Sequence, residues 1–136
     1  MFDSGTYGSI AVDDLDNAHI MLNNRKYNAS VVYSQQAIEK ILKQYIQQFG
    51  KGQADDLKSH KLLKLLKLTE LQELQKFHGD VSEITDCCFD ARYPGIDYTQ
   101  YTKDDADRFL SVATDIMLLV IQKCQGGNPL QELSLD

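Results

Sequence analysis

The sequence lacks any apolar segment long enough to cross a membrane. No apolar run approaches the ~18 residues that a spanning helix needs. The N-terminal segment contains Asp3, Ser4 and Gly5, but it has no basic region followed by an apolar stretch, which is the order found in a secretory signal peptide. We therefore expect a cytoplasmic protein without a membrane segment.

Cysteines are few, and their spacing fits neither a disulfide framework nor a zinc site. Cys87 and Cys88 are adjacent, Cys124 is distant, and there is no Cys-x-x-Cys pair or Cys/His cluster with zinc spacing. A bridge between adjacent cysteines strains the peptide that joins them. We interpret the three as reduced thiols that pack like small apolar side chains, with a redox role as the alternative.

Basic residues are outnumbered, 14 to 20, which gives a net charge of -6. Such a protein is repelled by the nucleic-acid backbone, so broad nucleic-acid binding is disfavoured. One region differs: Lys58, Lys61, Lys64 and Lys67 recur every third residue, with His60 among them. This lysine patch is a candidate site for a phosphate or an acidic partner, and the alternative is the solvated face of a short amphipathic helix.

Nothing else in the sequence indicates a metal or a cofactor. Asp13, Asp14 and Asp16 lack the loop that a calcium site requires. His19 and His78 are single histidines on predicted helices, a setting typical of structural residues. No metal ligand and no cofactor are predicted.

Period-two alternation is also missing, whereas apolar residues recur at steps of three and four almost throughout. The two prolines, Pro94 and Pro129, lie in gaps of this pattern. The spacing predicts helices over about residues 12–24, 27–49, 61–68, 70–91 and 103–124. We predict an all-α fold, an antiparallel up-down bundle of four long helices plus one short helix.

The predicted bundle occupies residues 11–125, between a flexible N-terminus (residues 1–10) and a C-terminal tail (residues 126–136). Its last helix begins after Thr102, a favourable N-cap. Leu118 and Leu119 fall outside the apolar stripe of this helix, which indicates a subunit interface and a homodimer. A packed edge of the bundle explains them equally well.

The segment that follows Tyr27 contains the run Gln35-Gln36-Ala37-Ile38-Glu39-Lys40-Ile41-Leu42-Lys43, which resembles the Q-Q-A-x-E-K-x-L-K helix of HEPN domains. Other segments resemble the family in the same order along the chain: Asp14-Leu15 with Ala18, Ser59-His60-Lys61-Leu62-Leu63, Ala91-Arg92-Tyr93-Pro94, and Thr102 to Val120. The likeness covers about residues 11–125. It implies a bundle of four or five helices, in agreement with the apolar spacing.

Many HEPN proteins are ribonucleases, often toxins, and resemble one another in an Arg that a His follows after four to six residues. The resemblance implies that this His transfers a proton and that the Arg stabilises charge on the phosphate. Arg25, Arg92 and Arg108 are the only arginines here, and none has a His at that spacing. We therefore predict no catalytic residue and no enzyme activity. The alternative is a divergent ribonuclease toxin in which folding brings Arg92 to His60 or His78.

Another group of HEPN proteins lacks the pair and accompanies a minimal nucleotidyltransferase, sometimes in toxin-antitoxin arrangements. Resemblance to that group implies a nucleotide ligand and a nucleotidyltransferase partner. This chain has no nucleotidyltransferase signature, because Ser4-Gly5 and Gly8-Ser9 are not followed by a strand with paired aspartates. That activity would belong to a separate chain. A ligand-free dimeric interaction module is the remaining alternative.

Two candidate ligand residues are Arg92 and Tyr93, where a predicted helix ends before Pro94. A guanidinium can bind phosphate through two hydrogen bonds, and a tyrosine ring can stack on a base. Alternatively, the arginine only offsets the helix dipole. The other candidates are Lys40 and Lys43 on the second predicted helix, and His60, Lys61 and Lys64 of the lysine-rich segment.

For Lys40 and Lys43 the alternative is again a solvated helix face. Gln35 and Gln36, on the same predicted helix, are expected to be buried hydrogen-bonding residues that link helices, because amides inside a bundle need partners.

Overall fold

A computed structural model describes residues 2–92 and 100–126, except for the side chains of residues 86–92. These ranges contain five α-helices and two 3-10 helices, and no strand. The α-helices are α1 (Tyr7–Asn23), α2 (Tyr27–Gln48), α3 (Leu62–Leu68), α4 (His78–Arg92) and α5 (Lys103–Cys124), and the 3-10 helices are Ala54–Lys58 and Gln72–Phe77. The predicted all-α fold is confirmed. In the described part of the chain, no helix is both long enough and apolar enough to span a bilayer.

The central element of the fold is α2, which packs against α1, α3, α4 and α5. In the sequence, one apolar stripe of this helix includes Val31, Ile38 and Ile41 and a second includes Tyr33 and Ala37, a pattern that predicts neighbours on two sides. One stripe contributes Val31, Ile38 and Ile41, all fully buried, and Ala37 of the other is buried as well. The buried residues of α2 also include polar ones, namely Ser30, Ser34, Gln35, Glu39 and Lys43.

The first helix begins earlier than predicted. Thr6 is its N-cap, with Oγ1 accepting a hydrogen bond from the backbone N–H of Ser9 at 3.2 Å. Gly8 is buried, and its N–H donates to Gln44 Oε1 at 3.0 Å. A Cβ on Gly8 would lie 2.5 Å from the ring of Phe2. Residues 7–10, predicted to belong to a flexible N-terminus, are thus helical. The apolar pattern gave no sign of this turn, because its glycine packs closely against Phe2.

The predicted single helix over residues 70–91 is wrong at its start. Thr69 Oγ1 donates to the carbonyl of Leu66 at 2.7 Å and accepts from the N–H of Leu71 at 3.2 Å. Glu70 then adopts a left-handed conformation with φ of 58°. The chain continues as the 3-10 helix Gln72–Phe77 before α4 begins. A buried hydroxyl that binds the backbone on both sides ends the helix here.

The start of α5 agrees with the prediction. Thr102 and Asp105 form a capping box: Thr102 Oγ1 accepts from the N–H of Asp105 at 3.2 Å, and Asp105 Oδ2 accepts from the N–H of Thr102 at 3.1 Å. Two backbone N–H groups at the helix start, which have no acceptor within the helix, obtain one in this way. Farther along, Leu118 is 63% exposed, whereas Leu119 is partly buried against the core.

Candidate functional site

Glu39 is a carboxylate with almost no contact with solvent, and two lysines and a histidine surround it. Its side chain is 1% exposed. Oε2 accepts hydrogen bonds from Lys40 Nζ at 3.0 Å and from Lys43 Nζ at 3.3 Å. Oε1 lies 3.2 Å from Nδ1 of His60. We call these four residues the Glu39 cluster. It connects α2 to the segment that precedes α3.

Two opposing effects act on the pKa of Glu39. Burial raises it, because a charged carboxylate is poorly solvated inside the protein. Hydrogen bonding and attraction from Lys40, the charge of Lys43 and the hydrogen bond with His60 lower it, and together they outweigh burial. The net pKa is lowered. Glu39 is therefore ionised at neutral pH and compensates the ammonium groups beside it.

The two lysines of the cluster are directed inward. Lys43 is buried, and its Nζ also lies 5.9 Å from the centre of the Tyr7 ring. Lys40 is 20% exposed and donates a second hydrogen bond to Gln36 Oε1 at 3.2 Å. The solvated helix face considered as the alternative for Lys43 is therefore wrong. The charge of both lysines is already directed at Glu39.

The predicted amide role is seen only in part at Gln35 and Gln36, because their hydrogen bond to one another lies within α2 and Gln36 is only partly buried. Gln36 Nε2 donates to Gln35 Oε1 at 2.6 Å, and Gln35 is buried. Since Gln36 also accepts from Lys40, the amides extend the polar network of the Glu39 cluster within the core. Gln35 and Gln36 thus have the partners that buried polar groups require, whereas the buried hydroxyl of the adjacent Ser34 has no hydrogen-bond partner among the described residues.

Asp14 of α1 is a second acidic group near this network. Burial raises its pKa most, Lys40 lowers it, and the charges of Asp13 and Glu39 raise it further. The net pKa is raised. One lysine, Lys40, thus acts on carboxylates of two adjacent helices.

The remaining candidates near α3 are exposed. The His60 side chain is 80% exposed although Nδ1 contacts Glu39. Lys61 is exposed at the N-terminal end of α3. Lys64 forms an ion pair with Asp56, with Nζ and Oδ1 3.0 Å apart. A backbone hydrogen bond from Gln53, followed by the contacts of Lys64, lowers the pKa of Asp56.

The structure does not test the proposed pairing of Arg92 with Tyr93. Arg92 is the last residue of α4, its side chain is among those that are not described, and Tyr93 lies outside the described residues. Of the other arginines, Arg108 binds Glu83 through two hydrogen bonds of 2.9 and 2.7 Å. The guanidinium of Arg108 is thereby held by a carboxylate.

A pocket of about 480 Å³ lies between α3 and the segment that leads into α4. Its lining combines leucines with nitrogen-bearing side chains: Leu63, Lys64, Leu66, Lys67, Gln75 and His78. Sequence reasoning placed Lys64 and Lys67 in the lysine patch, but it gave His78 a structural role and did not consider Gln75. The break near Thr69 was predicted, but the 3-10 helix Gln72–Phe77 that follows it and leads to His78 was not.

Metal binding has no visible basis in the described side chains, since no three or more His, Cys, Asp or Glu residues are grouped so that they could hold an ion. Cys124 is buried in α5, and burial raises the pKa of its thiol to about 11. A protonated buried thiol is a poor nucleophile. The predicted packing role fits Cys124, whereas the side chains of Cys87 and Cys88 are not described.

Comparison with known proteins gives a family for this arrangement. The sequence matches the HEPN domain over residues 7–124, nearly the whole chain. The chain belongs to the HEPN domain family. Its fold resembles the crystal structure of an archaeal HEPN homologue, with a TM-score of 0.69 and 22% identity over 87% of this chain and 94% of that one. No curated protein is a significant match.

Within this HEPN protein, two segments that carry the family resemblance meet in space. Glu39 and Lys40 come from the Q-Q-A-x-E-K run on α2, and His60 comes from the Ser59–Leu63 segment. Their contact at 3.2 Å joins residues that are 21 positions apart in the chain. The motif residues are thus held together by contacts to the buried carboxylate of Glu39.

Proposed function

We propose that this HEPN protein is a non-catalytic subunit that binds a nucleotide and acts with a separate nucleotidyltransferase. The observation that carries the proposal is in the sequence: none of Arg25, Arg92 and Arg108 is followed by a histidine after four to six residues. The resemblance implies that HEPN ribonucleases need this arginine–histidine pair for proton transfer and charge stabilisation.

The contacts of the described basic residues support a binding role. Nδ1 of His60 faces the carboxylate of Glu39, and Arg108 is bound through both terminal nitrogens to Glu83. In the described part of the chain, His60 contacts no arginine and Arg108 contacts no histidine. Exposed cations remain on the lysine patch, where a phosphate group can approach.

The test is calorimetric titration of the purified protein with ATP and GTP, first alone and then with a nucleotidyltransferase encoded beside it. We expect saturable heat with at least one nucleotide, or formation of a complex with the transferase. In parallel, the protein is incubated with RNA, and we expect no cleavage. RNA cleavage that is lost in both Arg92→Ala and His60→Ala would establish the divergent ribonuclease instead. Absence of both nucleotide and transferase binding would refute the proposal.

A homodimer is part of the proposal, because Leu118 of α5 is a large apolar side chain in water. Leu119 no longer supports it, since that side chain packs partly against the core. An exposed leucine on a long helix is suited to contact a second copy.

A further inference from the structure

We propose that the pocket between α3 and the start of α4 binds a phosphorylated small molecule with an apolar or aromatic body. We take nucleoside phosphates as the test case, and to that extent the inference rests on the proposed function. The residues that carry it are Leu63, Leu66, Lys64, Lys67 and His78.

The pocket offers two kinds of surface to a ligand. Leu63 is partly buried and Leu66 is 1% exposed, so their side chains give an apolar wall fixed in the core. Lys64, Lys67 and His78 are exposed at the same pocket and present nitrogen atoms that can donate hydrogen bonds. An apolar wall with a few polar groups is the usual composition of a small-molecule site. The ligand therefore needs an apolar portion and an anionic one.

The charges of the two lysines differ in how they are compensated. Lys64 forms an ion pair with Asp56 at 3.0 Å. No carboxylate among the described residues lies within ion-pair distance of Lys67. An exposed ammonium without a carboxylate partner attracts an anion more effectively than a paired one. Lys67 is therefore the main phosphate-binding residue of the pocket, and His78 adds a second donor.

The surroundings favour a small anion over a nucleic acid. The lysine patch is a positive region on a chain of net charge -6, and a long polyanion placed on it would meet negative surface elsewhere. The pocket volume, about 480 Å³, lies in the range of small-molecule sites, roughly 300–1,000 Å³. A mononucleotide meets these conditions of charge, size and apolar content.

The experiment compares three variants of the full chain by calorimetry, with ATP, adenosine and inorganic phosphate as probes. Lys67→Gln removes the ammonium charge and His78→Leu removes the imidazole donor, both at exposed positions. Lys58→Gln is the matched control, because Lys58 belongs to the same patch and is exposed but does not line the pocket. We expect ATP to bind about tenfold more weakly to each pocket variant, the effect of losing one charge-assisted hydrogen bond. The control is expected to bind like the wild type.

The probes separate this inference from the proposed function. ATP binding that is equal in all variants would overturn the pocket assignment and leave nucleotide binding intact. Phosphate that binds as tightly as ATP would overturn the role of the leucine wall. Adenosine that binds as tightly as ATP would overturn the role of Lys67 and His78. If no probe binds, the pocket and the nucleotide-binding part of the proposed function both fail, whereas a transferase complex would still support the accessory role.

Discussion

At the scale of single residues, Glu39 is a carboxylate that contacts two lysines and a histidine. It is buried, and it compensates Lys43, whose side chain is only 4% exposed. A buried ion pair adds little net stability compared with apolar residues in its place, because the cost of desolvating the charges opposes their attraction. Removing one partner is different, since it leaves the other charge buried and unpaired.

We predict that Glu39→Gln lowers the free energy of unfolding by about 3 kcal/mol at neutral pH, the cost of leaving a buried charge without its partner. Urea denaturation followed by circular dichroism measures the change. Glu83→Gln is the control: it breaks an exposed ion pair with Arg108, and exposed pairs contribute little. An equal loss of unfolding free energy in both variants would show that burial does not determine how much the Glu39 cluster contributes to stability.

The same comparison has a defined pH dependence. Because the folded-state pKa of Glu39 is lowered, the stabilisation that it provides is present above the ordinary pKa of a glutamate in the unfolded chain and is lost as pH falls through the lower, folded-state pKa. The stability difference between the wild type and Glu39→Gln should therefore be largest near neutral pH and shrink in acid. A difference that grows on acidification would contradict the ionised state of Glu39.

At the scale of elements, the sequence was most informative where caps and apolar stripes coincide. Thr102 with Asp105 marked the start of α5, and the two stripes of α2 predicted its central position. The break near Thr69 was predicted too, but the left-handed Glu70 and the 3-10 helix Gln72–Phe77 were not, because the backbone hydrogen bonds of Thr69 leave no pattern in the sequence. The start of α1 was missed for a similar reason: the close fit between Gly8 and Phe2 is a tertiary contact.

The turn after α3 allows a direct test of backbone strain. Glu70 has φ of 58°, a conformation that side chains with a Cβ disfavour and glycine adopts readily. We predict that Glu70→Gly raises the free energy of unfolding by up to about 1 kcal/mol, because relief of strain exceeds the added entropy of the unfolded chain. Thermal and urea denaturation provide the measurement.

The control for this turn is Gln72→Gly, an exposed position at the start of the 3-10 helix Gln72–Phe77. Glycine brings only an entropic cost there, so this variant should be destabilised. If Glu70→Gly were destabilised by a similar amount, other contacts of Glu70 would outweigh the strain. Its visible ion pair with Lys51 is long, 3.9 Å, and too exposed to do so.

At the scale of the whole molecule, fold class followed from periodicity and the family from ordered motifs. The site did not, since its geometry depends on contacts between distant positions. Glu39 and His60 belong to different elements, and the sequence placed Lys40 and Lys43 on a helix face without showing that Lys43 is buried. The pocket beside Lys67 and His78 exists only because the chain turns at Thr69.

Assembly is the remaining whole-molecule property, and Leu118 is the residue through which it can be tested. Its 63% exposure is larger than that of any other large apolar residue described, while its neighbours on the same face of α5, Asp115 and Gln122, are polar and exposed. Single exposed leucines are common on monomers, so a dimer must depend measurably on this side chain if it forms here. We predict that the wild type sediments as a dimer and Leu118→Gln as a monomer. Analytical ultracentrifugation provides the measurement.

The matched control is Ile20→Gln, which removes an apolar side chain of 44% exposure from α1. If α5 forms the interface, this variant stays dimeric, because contact between two copies of one helix face does not require α1. Dissociation by Ile20→Gln alone would move the interface to α1. A wild type that is monomeric at every concentration would remove the homodimer from the proposal, and nucleotide binding in the pocket beside α3 would then have to be a property of one chain.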